Sequence, residues 1–133
     1  MSSYEEKLSI LSEMIDFART DGVVKEPEYG FLLGVANQLG IDRDNFNSLF
    51  DREIEHIIPK SQADRILQFH RLVLLMNVDQ VQEDSEIERL HTIGLSMGLR
   101  PTAIDRVLRV MGDYPNNVVP PKVLIEIFKT HYN

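Results

Sequence analysis

The sequence predicts an all-α protein: a compact bundle of about six to seven helices, made of two duplicated three-helix units and a C-terminal helix. Three observations predict it. Apolar residues recur three and four positions apart through most of the chain. Prolines and several glycines stand at the joints between those stretches. The apolar pattern also returns when the 133-residue chain is slid along itself by 58 positions.

In the first unit, about residues 3–58, Ser3-x-x-Glu6 is a capping-box pattern that can start a helix. Tyr4, Leu8, Leu11, Ile15 and Ala18 give that helix its apolar stripe, and Asp21-Gly22 should stop it. Glu26-Pro27 opens the next helix, because proline fits the first helical turn. Tyr29, Leu32, Leu33, Ala36 and Leu39 form its apolar face, and Gly40 can cap its end. Asp42 can cap a third helix with Phe46, Leu49 and Phe50. Ile54, Ile57 and Ile58 either continue that helix or line an extended connector, and Pro59 ends the segment in both cases.

The second unit, about residues 61–112, repeats the plan. Ser61 can cap a helix with Ile66, Phe69, Val73 and Met76. Asp79 marks the break. Asp84 or Ser85 starts a helix with Ile87, Leu90, Ile93 and Met97, closed by Gly98. Pro101 opens a helix with Ile104, Val107, Leu108 and Met111. Asp113-Tyr-Pro-Asn-Asn is a turn cluster, and Pro120-Pro121 opens the final helix, about 120–131, with Leu124, Ile127 and Phe128. Residues 8–50 fall on 66–108 without a gap: Leu11 on Phe69, Ile15 on Val73, Leu32 on Leu90, Val35 on Ile93, Gly40 on Gly98, Phe46 on Ile104. Neither unit alone can bury its apolar faces, so the two should pack as one domain over residues 1–133.

Composition narrows the function. There are no cysteines, which excludes disulfides, thiolate metal sites and cysteine nucleophiles and agrees with a reducing cytoplasm. The N-terminus lacks the basic start and apolar core of a secretory signal, and the longest apolar run, Leu72 to Met76, is far too short to insert in a membrane. The net charge is −7, and all of it lies in residues 1–58, which hold 5 basic and 12 acidic residues. An acidic half repels phosphate backbones, so nucleic acid is not an expected partner. It is either a solvated face or a surface for cations or a basic protein.

The two inter-helix loops carry the chemistry worth testing. The first runs Asp21-Gly-Val-Val-Lys-Glu-Pro-Glu28 and the second Asp79-Gln-Val-Gln-Glu-Asp-Ser-Glu86. Each places an Asp where one helix ends and a Glu in the first turn of the next. Two readings stay open. Hard cations such as Ca2+ or Mg2+ take carboxylate and carbonyl oxygens, and a turn can bring such a pair together. Alternatively, Asp bonds the N–H groups of a turn and Glu favours a helix N-terminus, with no metal involved. A true EF-hand is rejected in both copies. Its earlier ligand positions would be Phe17 and Arg19, or Leu75 and Asn77, and Gln80 stands at the second copy's glycine position.

Two copies of a helix, an Asp-Gly-x-x-x-x-x-Glu loop and a helix ending in Leu-Gly resemble the tellurite-resistance TerB-like domains. The matching stretches are Ala18 to Glu28 with Leu32 to Ile41, and Asp79 to Glu86 with Leu90 to Leu99. The resemblance covers roughly residues 5–110. It implies an all-α fold and a bacterial, non-catalytic module tied to tellurite and other stress resistance, acting with protein partners in assemblies near the membrane. A related module occurs in a membrane-anchored J-domain co-chaperone. It also implies a divalent-cation site, which maps onto Asp21, Glu28, Asp79 and Glu86. The chain departs from the pattern at Gln80, and the tail from Asp113 lies outside it. The alternative is a metal-free interaction or scaffold domain that docks through its acidic first half or its C-terminal helix.

Weaker signals point away from catalysis. Gly94-Leu-Ser96-Met-Gly98 matches the G-x-S-x-G hydrolase pattern, but that motif needs a preceding strand and here ends a helix. Glu86, Glu88 and His91 can share a helix face, though a single His is a poor zinc set. His70 and His91 lie beside apolar stripes and read as half-buried structural residues. Arg100, Arg106 and Arg109 give the helix that Pro101 opens a basic tint, either a solvated face or a contact for an acidic partner. The methionines at 14, 76, 97 and 111 read as core. No nucleophile, phosphate loop or acid–base pair supports an enzyme.

Overall fold

The computed structural model describes residues 3–78 and 84–130, apart from the side chain of Asp21. Among these residues every regular element is helical. The α-helices are α1 (Tyr4–Ala18), α2 (Glu26–Leu39), α3 (Arg43–Ser48), α4 (Gln62–Asn77), α5 (Asp84–Ser96), α6 (Pro101–Val110) and α7 (Pro121–Thr130). A 3-10 turn, Arg19–Asp21, follows α1, and two more, Met111–Asp113 and Pro115–Asn117, lead from α6 toward α7.

Local sequence accounts for the boundaries. Ser3 Oγ accepts the N–H of Glu6 at 3.1 Å, and Ser61 Oγ accepts that of Asp64 at 3.1 Å, so one serine cap starts each unit. Gly40 and Gly98 end α2 and α5 with φ of 75° and 80°, the left-handed conformation glycine adopts without strain. Each is followed by the same back-bond, Ile41 N–H to Ala36 O at 2.9 Å and Leu99 N–H to Gly94 O at 3.0 Å. The starts of α1, α2 and α3 at 4, 26 and 43 recur at 62, 84 and 101 in α4, α5 and α6, each 58 residues later.

The segment after α3 takes one of the two forms its sequence allowed. Phe46 is buried in α3, but the helix stops at Ser48, and Ile54, Ile57 and Ile58 line an extended connector. β-branched residues close to a proline disfavour helix there. Two contacts pin the connector: the Ile57 N–H donates to Ser9 Oγ at 2.6 Å, and Arg19 donates to the Phe50 carbonyl while lying 5.2 Å from the Phe50 ring centroid.

A single cluster of buried apolar side chains draws on α1 through α7. α1 and α4 pack on each other at its centre, and each packs on the second helix of its own unit. α1 also meets α5, as α4 meets α2. Pairs that the 58-residue register puts in correspondence are buried together: Leu11 and Phe69, Phe17 and Leu75, Leu32 and Leu90, Ile41 and Leu99, Phe46 and Ile104. α7 closes the bundle against α4 and α6, with Phe128 edge-on to Phe69 at 5.8 Å. No helix of the described residues is long and apolar enough to cross a membrane.

Candidate functional site

The first loop is built from a helix end that tightens before it turns. After α1 the backbone winds into the 3-10 turn that ends at Asp21, and Gly22 then reverses it with φ 97°. Val23 to Lys25 run without regular structure into α2, where Pro27 sits in the first turn. Glu28 follows in that turn. Its side chain folds back so that Oε1 accepts the Lys25 N–H at 2.9 Å, and the residue is only 3% exposed. One of the orphan donors of the helix start is thereby satisfied.

Glu86, 58 residues later, stands in the first turn of α5 and is likewise 3% exposed. A carboxylate at a helix N-terminus gains from the helix dipole. Taking it out of water is costly unless donors or cations surround it. Two Glu residues buried to the same extent at equivalent helix starts are therefore a demanding feature to maintain. Asp79 and the Asp21 side chain lie outside the described residues.

The two helix starts are also linked through the fold. The 3-10 turn that ends at Asp21 packs on α5, the helix that carries Glu86. The loop spacing had paired Asp21 with Glu28 alone. The neighbourhood of Asp21 and α5 spans the molecule, and no local sequence pattern signals it.

The other candidates resolve individually. His91 Nε2 faces Asp105 Oδ1 at 3.1 Å, joining α5 to α6. The Ser96 hydroxyl donates to the Ile93 carbonyl at 2.8 Å in the last turn of α5. Gly94 of the same pattern is buried under Ile104 and Phe69. His70 is buried, and its Nε2–H donates to the Val119 carbonyl at 3.2 Å. Burial pushes its pKa down from the usual histidine value; the Val119 bond opposes that shift and the nearby Arg71 charge adds to it.

Sequence reasoning did not anticipate His56. On the connector, it sets Nε2 3.0 Å from Asp16 and Nδ1 3.9 Å from Glu13, both on α1. Opposite ring nitrogens face the two carboxylates, so the trio fastens the connector and does not converge on one point. Among the described residues no group of three or more His, Asp or Glu is arranged to hold a metal ion. No family model, curated protein or solved structure matches the chain.

Proposed function

We propose that the chain is a non-catalytic, internally duplicated TerB-like module that holds a divalent cation, Ca2+ or Mg2+, at its paired loop carboxylates and contacts other proteins in a bacterial stress response. The observation that carries this reading is the equal burial of Glu28 and Glu86, both 3% exposed at equivalent helix starts. Buried carboxylates are hard oxygen donors of the kind these cations take. The duplication is supported by the common 58-residue offset of helix starts, serine caps and glycine caps. The TerB-like assignment is supported by the loop residues themselves, Asp21-Gly22 through Glu28.

Thermal melts with Ca2+, Mg2+, Mn2+ and Zn2+ test the cation. At ten times its dissociation constant, a bound ion stabilises the fold by about 1.4 kcal/mol, a shift of a few degrees for a chain of this size. Wild type should show that shift with at least one of the ions, and Asp21→Asn/Glu28→Gln should not. Equal responses from the two proteins would end the cation reading.

A metal-free interaction domain docking through the C-terminal helix is the second reading. It is favoured by a groove that runs along α7.

A further inference from the structure

A groove of about 640 Å3 lies between α6 and α7. Its floor is apolar: Ile127 belongs to the core and Val123 packs against it. Its rim is basic. Arg106 and Arg109 come from α6 and Lys122 from α7, and all three are exposed. The two arginines are three residues apart and so share one side of their helix. Among the described residues one carboxylate, Glu126, shares the rim.

Some cations of the chain are tied to its own backbone or side chains. Arg19 donates to the Phe50 carbonyl, Arg65 to the carbonyls of Pro59 and Lys60, and Arg71 to Gln68 Oε1. Arg106, Arg109 and Lys122 make no hydrogen bond or ion pair with any described residue. Three exposed cations without a hydrogen bond or ion pair among the described residues border an apolar furrow between two helices, on a chain whose net charge is −7.

We propose that the α6–α7 groove docks an acidic amphipathic helix of another protein. Apolar side chains at helical spacing would lie on Val123 and Ile127, and flanking Asp or Glu would face Arg106, Arg109 and Lys122. This names the surface and the partner chemistry for the protein-binding part of the function proposed above, and rests on that part. It is independent of the cation at the loops.

The probe is a fluorescein-labelled synthetic helix of about 15 residues, long enough to hold helical structure, with Leu on one face and Glu on both flanks. Anisotropy at low and high salt reads its binding to the full chain. Wild type should bind it and release it as salt rises. Arg106→Glu/Arg109→Glu and Lys122→Glu should each bind roughly tenfold more weakly, Lys122→Gln less so, and Glu126→Gln more tightly. All these positions are exposed, so thermal midpoints should hardly move. Asp21→Asn/Glu28→Gln should keep peptide binding even where it loses its response to cations, which separates the two readings. No binding to wild type overturns the proposal, as does equal binding by the charge-reversal variants or by a peptide with Gln in place of Glu. Salt-sensitive dimers in sedimentation that Arg106→Glu/Arg109→Glu abolishes would make a second copy of the chain the occupant, and would also overturn it.

Discussion

Gly94 shows how a residue can carry one meaning in a motif and another in a core. A Cβ built there would lie 2.7 Å from Ile104 Cδ1 and 3.2 Å from Phe69 Cε1. Gly94→Ala should therefore cost about 1–3 kcal/mol of stability, as overpacked core positions do. Adding Ile104→Val should recover part of that loss in a denaturant double-mutant cycle, and strict additivity would refute the steric account. His70 makes a second prediction at this scale. Its folded pKa lies below its unfolded value of about 6.5, so below that pH the unfolded chain binds the extra proton first. Its contribution is complete above about pH 6.5 and is lost as pH falls from there through the lowered folded value. Urea melts at descending pH should show wild type losing stability faster than His70→Gln across that window, with parallel curves above it. The sequence marked His70 as structural because it borders an apolar stripe. It could not give the Val119 carbonyl, 49 residues away, that receives its proton.

At the scale of elements, caps and periodicity were readable because they are local. Ser3, Ser61, Gly40 and Gly98 all do what their positions suggested, and Pro27, Pro101 and Pro121 all stand in first helical turns. The left-handed caps yield a matched prediction. Gly40→Ala and Gly98→Ala should each cost about 1 kcal/mol or more, since φ near 75–80° strains an L side chain. The loss should appear as a lower thermal midpoint, and an unchanged midpoint in either variant would contradict the cap assignment. The connector after α3 was less readable. Three isoleucines fit either a helix or a strand-like run, and the deciding contacts come from Ser9, Glu13 and Asp16 on α1, 40 or more residues earlier. Ser9→Ala removes the acceptor for the Ile57 N–H. It should destabilise the chain by roughly 0.5–1.5 kcal/mol and speed amide exchange at Ile57.

At the scale of the whole molecule, the all-helical bundle is what the sequence disclosed best. Three helix starts recur 58 residues later, the offset of the apolar pattern, and α1 packs on α4. What the pattern could not disclose is how distant helices meet. The packing of the Asp21 turn on α5 is one such meeting, and the approach of Arg106 and Arg109 to Lys122 across the α6–α7 groove is another. The buried state of Glu28 and Glu86 was equally out of reach, because acidic residues at helix starts are usually solvated. The most direct measurement of the central claim is an amide NMR titration of the full chain with Ca2+ and with Mg2+. Saturable shifts should concentrate on Gly22 to Glu28 and on the start of α5 at Glu86, and should vanish in Asp21→Asn/Glu28→Gln. Shifts that never saturate, or that spread over exposed acidic residues such as Asp42, Asp51 and Glu53, would contradict it.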